Sequence, residues 1–227
     1  MKITYHGHAC MSVEHEGHAV IIDPFLSGNP MADIGPSDVK VEAVLLTHGH
    51  GDHVGDAQQI AEANNALIVA PFELAMYFGG KGLKAHPMHL GGSHQFDFGK
   101  VKLTLAFHGS GIEENGQMIY AGNPCGFLLT MGDKTFYHAG DTGLFGDMQI
   151  IGSRHHIDVA ALPIGDNFTM GPEDALQAAE WVQAKTVIPM HYDTFDLIKQ
   201  DAQGFANQLK QKGIDTAVLK PGESFSL

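Results

Sequence analysis

The stretch Thr47-His48-Gly49-His50-Gly51-Asp52-His53 decides how this chain is read. Three imidazoles and one carboxylate fall within six residues, interrupted only by glycines. Imidazole and carboxylate are the ligands that zinc and similar borderline cations prefer. The apolar run Ala43-Val44-Leu45-Leu46 just before it predicts a buried strand. The potential ligands therefore stand on a tight loop at a strand end, where a rigid scaffold places functional side chains. Gly49 and Gly51 are expected to take positive φ and let alternate side chains converge on one point. A histidine-rich surface turn is the plainer reading in a chain with 15 histidines, but the density of ligand types favours a metal site.

Working outward, 227 residues suffice for one sizeable core, and residues 1–227 are read as one domain. An apolar fraction of 44% and a charged fraction of 17% are ordinary for a globular protein. A net charge of −13 argues against nucleic acid or an anionic membrane as the main partner and leaves a small-molecule substrate. Met1-Lys2-Ile3-Thr4-Tyr5 enters a strand pattern at once, without the apolar stretch of a secretory signal. No window approaches the ~20 apolar residues of a membrane helix. Cys10 and Cys125 form no CxxC pair and read as reduced, buried thiols of a cytoplasmic protein. The ten methionines and the loops are compatible with a homo-oligomer.

Periodicity predicts strands at residues 2–6, 11–15 and 19–23, a helix over 56–64 and a strand at 66–70, with Pro71 opening the next helix. His86, His89 and His94 fall in a Gly/Pro-rich connection before a strand at 102–107. Residues 125–131 and 134–138 form a hairpin across Gly132-Asp133. Strands at 157–162 and 186–190 flank a helix from 171 to about 183, and 195–212 contains an amphipathic helix before a last strand at 217–219. Strands cluster and alternate with helices in each half, which predicts an α/β architecture of two sheets back to back with helices outside.

Three further ligand-capable residues follow apolar strands and precede turns. They are His108 after Leu103-Thr104-Leu105-Ala106-Phe107, Asp141 after Phe136-Tyr137-His138, and His191 after Val187-Ile188-Pro189-Met190. Each alone reads more readily as structural; together with the first motif they suggest a two-metal site. At this point the chain resembles the metallo-β-lactamase superfamily, whose first motif is the H-x-H-x-D-H of residues 48–53. Tyr5-His6-Gly7-His8-Ala9-Cys10, Ile22-Asp23-Pro24-Phe25 and residues 165–172 resemble a narrower, UPF0173-like branch of small bacterial metal-dependent hydrolases. That branch is related to ascorbate-phosphate lactonases and N-acylphosphatidylethanolamine phospholipases.

The resemblance implies a four-layer αββα sandwich with the site at one edge between the sheets. It implies that His48, His50 and His108 bind one metal, that Asp52, His53 and His191 bind a second, and that Asp141 bridges them. True β-lactamases carry a cysteine where Asp141 stands, so antibiotic hydrolysis is not expected. Two divalent cations roughly 3.5 to 4 Å apart share a water and lower its pKa towards neutrality, which makes a serine or cysteine nucleophile unnecessary. Asp52 is the expected handler of that water's proton. Zinc is the leading metal, and manganese, nickel and iron(II) also fit the donor set. The expected substrate is an ester, lactone or phosphodiester. A mononuclear iron oxygenase of the persulfide dioxygenase type and a non-catalytic metal-binding protein are the alternatives. Weaker candidates are Asp23 as an outer carboxylate holding a ligating histidine, and His8 and Asn167 as substrate contacts, each with a structural reading beside it.

Overall fold

The computed structural model describes all residues, Met1–Leu227. In chain order the first half runs β1 (Lys2–Tyr5), β2 (Met11–His15), β3 (His18–Ile22), β4 (Ala43–Leu45), α1 (Gly51–Val54), α2 (Ala57–Asn64), β5 (Leu67–Pro71), α3 (Phe72–Gly80) and β6 (Ala85–Met88). The second half runs β7 (Ser93–Phe96), β8 (Gly99–Leu105), β9 (Gly111–Glu114), β10 (Gln117–Tyr120), β11 (Cys125–Met131), β12 (Lys134–His138), α4 (Met148–Arg154), β13 (Val159–Pro163), α5 (Pro172–Val182), β14 (Thr186–Met190), α6 (Ala202–Gln211), β15 (Asp215–Thr216) and β16 (Ser224–Ser226). Two seven-stranded sheets result, in the orders β16-β1-β2-β3-β4-β5-β6 and β15-β14-β13-β12-β11-β8-β7, and β9 pairs with β10 as a separate hairpin.

Side-chain alternation makes the layers. Ile3, Val13, Val20, Ile22, Leu45 and Val69 of the first sheet meet Leu103, Phe127, Leu129, Phe136, Val159 and Ile188 of the second in the central core. The opposite face of the first sheet buries Ile21, Val44 and Ile68 against Ile60 of α2 and Leu74 of α3. The outer face of the second buries Leu128, Ala160 and Val187 against Ala179 of α5 and Phe205 of α6. The architecture is αββα, as expected. Central strands β13 and β14 are covered on both faces, which is why all five residues of each are buried. No helix is long and apolar enough to cross a membrane.

Several local expectations need correction. His86 and His94 lie on β6 and β7, not in a connection; these strands are edges of different sheets and bring the two rings to 4.3 Å. Pro87 is tolerated in β6 because an edge strand has a free side that needs no donor. The segment 195–212 splits into a 3-10 turn, Asp196–Ile198, and α6, whose first turn is capped where Gly204 N donates to Asp201 Oδ1 at 2.8 Å. Strand pairing beside β14 ends at Thr216 rather than continuing over 217–219, and Ser224–Ser226 returns to pair with β1. Cys10 and Cys125 are free and buried.

Strands β8, β12, β13 and β14 run in one direction, as do β3 to β6 of the facing sheet. The residues that follow β4, β8, β12 and β14 therefore emerge where parallel strands end, the usual place for a ligand crevice in such sheets.

Candidate metal centre

The loop after β4 is held from below. Thr47 donates to Asp23 twice, from its backbone N at 2.8 Å and from Oγ1 at 2.6 Å. His50 then caps a single helical turn, with His53 N and Val54 N both donating to His50 O at 3.0 and 2.9 Å. That turn aims Asp52 and His53 from one short element. Positive φ is not what the glycines supply: neither Gly49 nor Gly51 is left-handed. Gly49 is needed for closeness, since a Cβ there would stand 2.6 Å from Ala121 Cβ and 3.0 Å from Ile112 on the β9–β10 hairpin. Gly49→Ala is expected to push that hairpin away, weaken the Gly49 N to Ser110 Oγ bond of 3.1 Å and displace His48 and His50. A melting temperature lowered by several degrees, together with reduced metal uptake, would be the readout, because overpacking costs about 1–3 kcal/mol.

Three strand ends and this turn bring the ligand-capable atoms together. Those of His48, His50 and His108 lie within 4.8 Å of one another, and so do those of His8, Asp52, His53 and His191. His50 Nδ1 is 3.0 Å from His48 Nε2 and 3.3 Å from His108 Nε2. Asp141 stands between the groups: its carboxylate oxygens are 3.3 Å from His53 Nε2, 3.0 Å from His191 Nε2 and 3.6 Å from His108 Nε2.

The approaches of His53 and His191 to Asp141 are not hydrogen bonds. His53 Nε2, Asp141 Oδ1 and both ring nitrogens of His191 are buried without any hydrogen-bond partner. Each such orphan costs about 1–3 kcal/mol, so several at one point call for an unseen partner. Lone-pair donors converging in this way fit a divalent cation.

The electrostatics favour ligand forms. Burial pushes His48 well below the usual imidazole range and lowers His50 and His108. Burial alone would raise Asp141, but His191 and His53 beside it hold its carboxyl well below the usual range. Asp52 is likewise lowered against burial, by its bond to His8 and the charge of His53. His53 is the exception: burial would lower it, yet Asp141 and Asp23 on either side hold its proton well above the ordinary value. A cation would take the place of that proton.

The supporting residues have defined contacts. Asp23, completely buried, accepts from His53 Nδ1 at 2.8 Å and so turns His53 Nε2 towards Asp141. His8 is also completely buried, pushed down to about 4 by burial, with Nε2 3.1 Å from Asp52 Oδ2 and Nδ1 2.9 Å from Thr194 Oγ1. His138 is structural: Nε2 donates to Ala9 O at 2.9 Å and Nδ1 accepts from Gly140 N at 3.2 Å. Asn167 is exposed, in a left-handed turn where its N donates to Asp166 Oδ1 at 2.9 Å, and no side-chain bond links it to the cluster. Thr47, Thr142 and Thr194 carry no motif in the sequence; Thr47 and Thr142 adjoin ligand-capable residues, which is the only signal of their role.

A β-lactamase superfamily domain model matches residues 2–191 of this chain. The chain is 61% identical to the UPF0173 metal-dependent hydrolase YtkL of Bacillus subtilis and 60% identical to a UPF0173 metal-dependent hydrolase of a Geobacillus species, over 100% of all chains compared. It belongs to the metallo-β-lactamase superfamily, among the UPF0173 metal-dependent hydrolases. Igni18, a metallo hydrolase from Ignicoccus hospitalis, shares 34% identity and a TM-score of 0.91, with 100% of this chain and 98% of that one covered. An isothiocyanate hydrolase from Delia radicum gut bacteria shares the fold at 24% identity and a TM-score of 0.79, covering 100% and 99%. As a UPF0173 protein the chain is a metal-dependent hydrolase, which accounts for the orphaned donors.

Proposed function

We infer that this protein is a two-metal hydrolase acting on an ester, lactone or phosphodiester. The observation that carries the reading is the Asp141 carboxylate lying between two groups of converging, partnerless donors. In this reading His48, His50 and His108 hold one cation, Asp52, His53 and His191 hold the other, Asp141 spans both, and zinc is the leading metal. Bound cations there supply Lewis acidity towards the substrate's oxygen and acidify a water towards neutrality. Asp52 orients the attacking water and takes its proton, and its lowered pKa keeps the carboxylate ionised for the first of these roles. His8, locked by Thr194, fixes the carboxylate that does this. Asp23 sets which nitrogen of His53 faces inward.

Elemental analysis tests the metal count. About two zinc, manganese or nickel ions per chain are expected, whereas a single iron would favour the oxygenase alternative. With the metal-loaded protein and a panel of lactones, thioesters and bis-p-nitrophenyl phosphate, Asp52→Ala and His50→Ala should abolish turnover while far-ultraviolet circular dichroism stays unchanged. Turnover that survives both substitutions would sink the mechanism.

A further inference from the structure

The surface around the cluster is aromatic. Phe195 and Phe25 lie 5.5 and 5.7 Å from the His8 ring and 6.4 Å from each other, so they flank the side of the site that holds Asp52. Phe107 immediately precedes His108 and is strapped to the Asp141 loop. Its N donates to Thr142 Oγ1 at 2.9 Å and its carbonyl accepts from Gly143 N at 3.0 Å. Phe168 sits on a turn tied to the same loop where Met170 N donates to Thr142 O at 2.9 Å. Phe107 is 69% exposed, Phe168 51% and Phe195 39%. Phe25 and Phe195 thus stand against His8, while Phe107 and Phe168 expose their rings on segments tied to the loop that carries Asp141.

None of the 13 lysines and arginines makes an ion pair or side-chain hydrogen bond with any residue of the cluster. Lys199, four residues beyond Phe195, is an exposed side chain paired with Asp196 at 2.6 Å. The neighbours that shift the cluster's own groups are histidines and aspartates.

From the aromatic rim and a cluster unpaired with lysine or arginine we propose that the substrate is an uncharged ester or lactone whose acyl chain is alkyl or aryl and seats on Phe107, Phe168, Phe25 and Phe195. The proposal rests on the hydrolase reading above and narrows it. The cluster, with a cation held by its histidines and carboxylates, would supply the positive charge for the oxygen at the bond being broken. A phosphate or carboxylate further along the molecule would lose water against ring faces, which is unfavourable. An apolar chain gains from the same contact, by up to about fourfold in affinity for each methylene removed from water.

Two measurements test it. The first is kcat/KM for p-nitrophenyl esters from acetate to octanoate, set against ω-carboxylated esters of equal length, with the metal-loaded protein. The second is the Kd of methyl ketones of increasing chain length, which mimic the esters and cannot be hydrolysed, measured by titration calorimetry with and without metal. A rise of roughly tenfold or more from acetate to hexanoate is expected, lost for the ω-carboxylated series. Phe107→Ala and Phe168→Ala should flatten the rise with chain length in both kcat/KM and ketone Kd.

A flat chain-length profile, or equal turnover of the charged series, overturns the proposal while leaving the hydrolase reading intact. Chain-length-dependent ketone binding with no ester or lactone hydrolysed keeps the apolar seat but overturns the ester and lactone assignment. A stable dimer in sedimentation that excludes the ketones would mean that a second copy covers the rings, and would also overturn it.

Discussion

Asp141→Asn is expected to cost at least two orders of magnitude in kcat/KM and to leave fewer than two metal ions per chain. The carboxylate lies 3.0 to 3.6 Å from histidines of both donor sets. Asparagine keeps the shape but has one lone-pair oxygen and no charge, so it cannot serve two cations. Loss even of an outer partner of a metal ligand typically costs 10–100-fold in affinity or activity, and in the two-metal reading proposed above a ligand shared by both cations should cost more. The fold should tolerate the change. Asp141 Oδ1 takes no hydrogen bond, and His53, whose raised pKa depends first on Asp141, still has Asp23 at 2.8 Å. Plasma mass spectrometry for metal content, and a melt of the metal-free protein, separate the two effects. Two ions retained with full activity would show that the bridge is not needed.

The uneven legibility of the chain has physical causes. Residues 48–53 are readable because four ligand-type side chains seldom crowd into six positions unless a metal holds them together. Strands such as Met11–His15 and Thr186–Met190 are readable from their apolar pattern alone. The partners of Asp23 and His8 are not. Asp23 reaches His53 across 30 residues and His8 reaches Thr194 across 186, and such pairings exist only once the sheets have stacked. Gly49 illustrates a second limit. Its need for closeness comes from the β9–β10 hairpin, whose second strand is exposed throughout and so carries no burial signal. Helix α4 is hidden by Gly152, a poor helix former at a position where a Cβ would run into the backbone of Trp181 and Val182 at the end of α5.

The two substitutions Asp23→Ala and Asp23→Asn should separate stability from metal binding. Asp23 has no exposed surface and accepts three hydrogen bonds, two from Thr47 and one from His53. Alanine leaves all three donors buried without a partner. Breaking one side of such a buried arrangement costs about 3–5 kcal/mol, which in a chain of this size lowers Tm by roughly 6–20 °C. Asparagine differs in kind. Its oxygen can still accept from Thr47 N, and its amide can donate to Thr47 Oγ1. It then confronts His53 Nδ1–H with a second donor, which His53 relieves by moving its proton to Nε2. That nitrogen is the one facing Asp141 at 3.3 Å, and a protonated nitrogen cannot ligate a metal. Asp23→Asn should therefore melt within a few degrees of the parent yet bind metal about 10–100-fold more weakly. Parental metal affinity in the asparagine variant would mean that Asp23 only fills space beneath the loop and does not choose the face His53 presents.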